Sequence, residues 1–263
     1  MIKTDVKRGA QRVQRFVHSK WKKTKALITV PAIREHIPDT RFMRREKLQA
    51  MLSEYGMVYV KPEIGAFGNG VIRVEQTEAG YKYQAGTKVK QFPAYDALYQ
   101  DLVRTTRNRS YLAQRGIHLL KYKGRRFDIR VMVQKNPAKH WEATAMVGRV
   151  AHPKKIVTNF HNGGTLKPVP VLLAAYMDKD GRDRFMKELR TLGTAVARQL
   201  ESKFPGIREI GIDIAVDRSL KGWILEVNTC PDPYIFRILP DKRIFARVIR
   251  YAKAYGRIKA TKK

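Results

Sequence analysis

Two short segments near the end of this 263-residue chain limit its architecture more than any other feature. Gly211-Ile212-Asp213-Ile214-Ala215-Val216-Asp217 and Trp223-Ile224-Leu225-Glu226-Val227-Asn228 both alternate in the period of two that marks a strand with one buried face. If a loop from Arg218 to Lys221 joins them as a hairpin, Asp217 stands opposite Gly222 and, counting back, Asp213 stands opposite Glu226. The side chains then sort by face, with Asp213, Glu226 and Asn228 on one side and Ile212, Ile214, Val216, Leu225 and Val227 on the other. The apolar face must be covered, and the other face gathers acids.

Directly opposed carboxylates repel unless a proton or a cation intervenes. A hard divalent ion resolves the conflict: two carboxylates and an amide oxygen suit Mg²⁺ or Mn²⁺, with positions left for water and phosphate oxygens. Pairing of the acids with nearby Arg or Lys on a solvent-facing hairpin resolves it as well. The residues alone weigh these two readings equally.

The rest of the chain supplies partners for such a sheet. Phe42 to Tyr55 reads as a helix, with Thr40 as N-cap and Gly56 to stop it. Met57 to Lys61 reads as a strand entering Pro62 and a glycine tip, Gly65, Gly68 and Gly70, after which Val71 to Val74 resumes the hairpin. Tyr81 to Phe92 continues the strand pattern, and Tyr95 to Arg104 is a short helix. Phe127 to Gln134 and Trp141 to Val150 are expected to pair. Asp183 to Phe204 carries Phe185, Leu189, Leu192, Val196 and Leu200 on one helical stripe, and a last helix runs from about Asp241 to Tyr255. Strands in runs, broken by a few helices, indicate an α+β fold with antiparallel sheets.

Other residues bear on chemistry. Lys61 beside the glycine tip can hold phosphates from two sides, although the tip lacks the Lys-Ser/Thr of a Walker A, and a plain turn with a surface lysine fits equally simple rules. Arg130 shares a strand face with Asp128, so it either stabilises charge on a transferred group or forms an ion pair within the sheet. The histidines form no metal-spaced pair; His161 stands apart, inside the polar loop Asn159 to Gly164.

Composition bounds the partners. Fifty-four Lys and Arg against 23 Asp and Glu leave a net charge of +31, which attracts nucleic acid, nucleotides and acidic polymers alike. A single cysteine, Cys230, rules out an internal disulfide and fits a reducing, cytoplasmic setting. The longest apolar stretch, Val169 to Met177, contains Pro170 and is far too short to span a bilayer, so no membrane insertion is expected.

In this order, Tyr59-Val60-Lys61-Pro62-Glu63-Ile64-Gly65, Phe127-Asp128-Ile129-Arg130-Val131-Met132-Val133-Gln134, Val157-Thr158-Asn159-Phe160-His161-Asn162-Gly163-Gly164, and Gly211-Ile212-Asp213 through Leu225-Glu226-Val227-Asn228 resemble the ATP-grasp superfamily. The phrasing, with Pro38-Asp39-Thr40, is closest to the YheC/YheD family of spore-coat-associated proteins, over about Lys20 to Tyr234. The resemblance implies two α+β subdomains clasping ATP, residues 20–114 and 115–234, between a basic segment 1–19 and a basic C-terminal helix and tail, 235–263, with the usual additional N-terminal domain largely absent. It implies that Lys61 and Lys20 contact the nucleotide phosphates, that the loop of Gly65, Gly68 and Gly70 closes over them, and that Gln114 to Ile117 reads adenine. By the same resemblance Asp213, Glu226 and Asn228 hold Mg²⁺ (or Mn²⁺), while Arg130 and Asn159 face the reacting phosphoryl group. The sequence departs from relatives at Leu119 and Leu120, where an acidic ribose contact is usual, at Ala66 and Val157, and at Pro231-Asp232-Pro233.

The implied activity is an ATP- and Mg²⁺-dependent carboxylate–amine ligase working through an acyl phosphate, in a cytoplasmic or spore-associated setting, with an unknown carboxylate acceptor and amine. The charge adds an acidic polymer or peptide as partner. The rival expectation is a polyanion- or nucleic-acid-binding spore protein on a catalytically degraded ATP-grasp fold; a kinase on the same fold is a third.

Overall fold

The computed structural model describes residues 15–66, 68–158 and 163–259. Alternating apolar segments assemble into two antiparallel sheets. The first comprises β1 (Thr40–Phe42), β2 (Met57–Pro62), β3 (Ile72–Thr77), β4 (Gly80–Ala85), β5 (Lys88–Phe92) and β6 (Tyr111–Arg115), in the order β1-β6-β2-β3-β4-β5. Helices α3 (Arg45–Tyr55) and α4 (Tyr95–Thr106) cover it, packing Leu48, Met51, Leu52, Leu98 and Leu102 on Val58, Val60, Ile72 and Val74. Gly56 ends α3 in the left-handed region, at φ 68°, and its N–H bonds to the Leu52 carbonyl.

The start of α3 differs from the pattern-based expectation. Thr40 is not its N-cap: residues 40–42 form β1, pairing with Leu112 to Gln114, and Arg44 in extended conformation precedes the helix. The Thr40 hydroxyl donates to the Pro38 carbonyl at 2.8 Å and accepts from Gln114 Nε2 at 3.1 Å. A neighbouring strand thus competes successfully for a residue with good capping chemistry.

The second sheet has the order β10-β9-β8-β11-β12, formed by β8 (Arg125–Lys135), β9 (Trp141–Val150), β10 (Thr165–Lys167), β11 (Glu209–Val216) and β12 (Gly222–Asn228), with the short β7 (Lys121–Tyr122) on β8. Phe127, Ile129, Val131 and Val133 face a core shared with Ile212 and Ile214 and covered by α6 (Lys179–Lys203) through Leu189, Val196 and Leu200. Helices α1 (Lys20–Leu27), α2 (Pro31–Arg34) and α5 (Val169–Leu173) join this same core. Val17, just before α1, is tied in by a bond from its N–H to Thr229 Oγ1 at 2.8 Å. The opposite sheet face holds Met132, Ala145 and Val147 under Phe236 of a 3₁₀ turn, Tyr234–Ile238, Leu239 just after it, and Val248 of α7 (Lys242–Ala254).

The hairpin β11–β12 meets its expected pairing at the acids but not at the turn. Val216 pairs with Gly222 and Ile214 with Ile224, one place out of step, and a register shift at Asp213/Ile214 then restores Asp213 opposite Glu226. Leu225 is the extra residue. It leaves the apolar core, where Ile224 takes the place expected for it, and lines the space between the sheets. Bulges of this kind re-aim a strand beside functional sites.

Helix α6 begins four residues before its expected start, because Asp178 accepts from the Gly181 N–H at 2.7 Å and caps it. Asp178→Ala is therefore expected to lower stability by about 1 kcal/mol in chemical denaturation. Asp183→Ala, at the boundary read from the sequence, is expected to be indistinguishable from the parent.

Candidate active site

A cavity of about 80 Å³ lies between the sheets, walled by Tyr59, Lys61 and Gln114 of the first with Gly68, Val71 and Ile117 of its adjoining loops, and by Asp128, Arg149, Asp213, Leu225 and Glu226 of the second with Thr158 of the segment after β9. A smaller cavity, about 30 Å³, adjoins it and shares Lys61, Gln114, Leu225 and Glu226 with Lys20 and Lys23 of α1. Six of the residues singled out in the sequence thus share one wall system: Lys61, Gly68, Gln114, Ile117, Asp213 and Glu226. Lys20 borders the adjoining space. Arg130 lies directly behind, on Asp213, and Asn228 follows Glu226 on the same strand face. Gly65 and Gly70 are outside the cavity wall; Gly70, at φ 74°, brings the backbone so close to Tyr111 that a Cβ would sit 2.9 Å from its hydroxyl. Asn159 lies outside the described residues.

Asp213 is 5% exposed at the centre of the second sheet. Arg130 Nε donates to one of its oxygens, and Arg149 stands 2.9 Å from the other. Arg149 also donates from Nε to Asp128 at 2.8 Å, and Asp128 accepts from Thr158 Oγ1 at 2.6 Å. Arg130 thus forms the ion pair within the sheet, with Asp213 across β8 and β11, while Asp128 on its own strand face pairs with Arg149 across β8 and β9. Burial works against the Asp213 carboxylate, but Arg130 and Arg149 overcome it and hold its pKa below the usual range. Burial likewise opposes charge on Arg149, and Asp128 with Asp213 outweigh it, raising the pKa. Sequence reasoning does not single out Arg149, because one charge in the apolar run Met146 to Val150 reads as an outward-facing strand position. Its faint signal is the pairing of β9 with β8, which sets Arg149 opposite Asp128.

The lysines form a second cluster. Lys61 Nζ donates to the Leu225 carbonyl at 3.1 Å, on the bulge, and Lys20 Nζ donates to the Gly65 carbonyl at 2.9 Å and stands 3.5 Å from Glu226. Lys23 Nζ donates to the Val17 carbonyl at 3.0 Å. Although the Lys61 residue retains some surface, its ammonium is enclosed, and burial pushes its pKa down to about 8 against the opposing pull of Glu226. Lys23 is lowered to about 8 for the same reason. Gln114 Nε2 donates to Thr40 Oγ1 at 3.1 Å and faces the Leu225 carbonyl at 3.5 Å. Both amide protons are thereby directed at protein, which leaves Oε1 as an acceptor.

Oxygen donors of the kind a divalent ion needs are present. Glu226 is partly exposed, Asn228 follows it, and Asp213 keeps lone pairs beyond those its two guanidiniums occupy. Among the described residues no three His, Cys, Asp or Glu side chains converge. The set therefore fits Mg²⁺ or Mn²⁺ as an ion sharing its shell with phosphate oxygens and water, not one caged by protein alone.

A sequence profile of the YheC/D-like ATP-grasp family matches residues 10–257. The chain belongs to that family. It is 28% identical over 197 residues to the endospore coat-associated protein YheD of Bacillus subtilis (strain 168), a match covering 73% of this chain and 43% of that protein. It is 22% identical over 237 residues to YheC of the same organism, covering 88% of this chain and 65% of YheC. The chain thus spans less than two thirds of either relative. Among solved structures, D-cycloserine synthetase DcsG superposes with a TM-score of 0.56 at 12% identity, covering 89% of this chain and 70% of that one. The D-alanine-D-alanine ligase of Coxiella burnetii gives 0.54 at 13%, covering 92% and 57%. The family match, together with these two likenesses of fold, establishes the ATP-grasp fold.

Two outcomes test the site's electrostatics. Between about pH 8 and 10.5 an unfolded chain holds the Lys61 proton and the folded one does not, so this group's contribution to stability rises with pH across that window. Lys61→Met is expected to melt higher than the parent near neutral pH, with the gap closing as pH approaches 10.5. Arg149→Met leaves buried Asp128 without a guanidinium and Asp213 with Arg130 alone, and is expected to cost about 3–5 kcal/mol in denaturant titrations.

Proposed function

We propose that this protein is an ATP- and Mg²⁺-dependent carboxylate–amine ligase: ATP phosphorylates a carboxylate, and an amine displaces phosphate from the acyl phosphate to leave an amide. The observation that carries the reading is the meeting, at one cavity, of Lys61 and Gln114 from the first sheet and Ile117 from the connection after it with Asp213 and Glu226 from the second. In this reading Lys61 and Lys20 exchange the carbonyl oxygens they now hold for phosphate oxygens, while Gly68 brings backbone close to the same anion. Ile117 and Leu225 supply apolar walls for a base, and Gln114 Oε1 accepts from an exocyclic amine. Arg130 and Arg149 fix Asp213 and place two guanidiniums beside the transferring group. Bound Mg²⁺, on Asp213, Glu226 and Asn228, supplies charge neutralisation for the phosphates. The cavity is smaller than the roughly 300–1,000 Å³ of ordinary ligand sites, so the lobes part to admit nucleotide. The net charge of +31 favours an anionic acceptor, and the names of the relatives favour a role in spore formation.

Hydroxylamine offered as the amine, with dicarboxylates and acidic peptides as acceptors, is expected to give hydroxamate with equal amounts of ADP and phosphate. ADP accompanied by a phosphorylated product that resists hydroxylamine would mean a kinase. Glu226→Gln is expected to cut ATP turnover by about 10²–10³ with the fold intact, and ATP is expected to bind tighter than GTP because Gln114 offers an acceptor.

One observation favours the second reading, a polyanion-binding protein on the same fold: Lys20, Lys61 and Asp213 already have internal partners. Steep loss of nucleic-acid affinity with salt, and calorimetry showing no nucleotide binding with or without Mg²⁺, would select it.

A further inference from the structure

The second sheet leaves part of one edge unused. β10 pairs with β9 at residues Gly148 to Val150, and among the described residues no strand lies on the outer side of β9 from Trp141 to Val147. β10 stops where Pro168 follows Lys167 and the chain turns into α5. Beyond that point lies a cavity of about 300 Å³ touching Ala143, Thr144, Ala145 and Met146. Successive side chains of a strand point to opposite faces, so a cavity that meets four in a row runs along the strand's edge. Helices overhang it on both sides, with Met186 and Arg190 of α6 from one face of the sheet and Ile244 and Arg247 of α7 from the other. The space is where β10 would continue as a further strand.

Edges are usually blunted against stray pairing, and this one carries two such devices. A register shift between Met132 and Val133 leaves Thr144 as a bulge, and Arg247 reaches across to donate to the Thr144 carbonyl at 2.8 Å. The protection is incomplete: the buried Arg247 Nε has no hydrogen-bond partner among the described residues, and the lining stays mostly apolar.

Charge selects the occupant. Arg190 and Arg247 stand at the slot, and Arg243, Arg247 and Arg250 line the adjoining hollow on α7. The acid in these linings, Asp241, is paired with Arg243 at 2.9 Å. A second copy of this +31 chain, or its own Lys- and Arg-rich ends, would bring like charge. We propose that the slot takes an extended acidic segment of another protein as an added strand beside β9, its backbone bonded to the edge and its carboxylates on Arg190 and Arg250, since Arg247 is held by Glu142 at 3.3 Å.

The test titrates the full chain with four labelled octapeptides: alternating Glu-Val, alternating Lys-Val, and Glu-Val N-methylated at every second residue in each of the two alternations. Glu-Val is expected to saturate with added hydrogen-exchange protection at amides 143–146, Lys-Val to give no binding, and one N-methylated form, blocked at the amides that face β9, to bind about tenfold more weakly than the other or worse. Arg190→Glu with Arg250→Glu, both on exposed positions, is expected to weaken Glu-Val by about tenfold. Absence of Glu-Val binding, equal affinity for both N-methylated forms, or no change in the double variant would overturn the proposal.

Discussion

A carboxylate buried between two guanidiniums governs the second half of the molecule. Asp213 alone at that depth would cost several kcal/mol, so its strand can settle only where Arg130 and Arg149 reach it. Arg149 in turn needs Asp128, and Asp128 draws in Thr158, so the segment after β9 is fixed by the same charges. Slipping β8 by one residue would carry Arg130 into the core and Ile129 onto the acids. Register is thus set as much by ion pairing as by the apolar alternation that forms the strands.

The bulge at Leu225 links this charge centre to the opposite lobe. By stepping out of the ladder, Leu225 turns a carbonyl towards Lys61 and Gln114 and an apolar side chain into the cavity. The enclosed ammonium of Lys61 is tolerated because a strand irregularity supplies its oxygen. Local imperfection on β12 and desolvation on β2 are two sides of one arrangement, the usual pattern at sites that keep polar groups ready for a ligand.

Much of this was legible in the residues. Period-two alternation gave the long strands, Gly56 the end of α3, and counting back from the turn placed Asp213 against Glu226, although the true path runs through a shift and its correction. What alternation cannot show is register, or which distant strands adjoin. The pairing of β8 with β9 is expected from the sequence, but not the register that sets Arg149 opposite Asp128, and Thr40 is a strand residue because β6 lies beside it. Of the two resolutions offered for the opposed acids, the structure displays arginines on Asp213, buried instead of solvent-facing. Oxygen capacity remains on Glu226 and Asn228, so pairing and metal binding are compatible.

Val17 and Thr229 are 212 positions apart, yet their bond helps close the core that α1 shares with the second sheet. On a ribosome adding about 5–20 residues each second, the N-terminal segment waits roughly 10–40 s for its partner to emerge. Meanwhile the first sheet, whose strands all lie between residues 40 and 115, can complete itself. Val17, Leu27 and Ile33 are therefore made before the first sheet yet dock after it, and Leu27 and Ile33 spend that interval as exposed apolar surface.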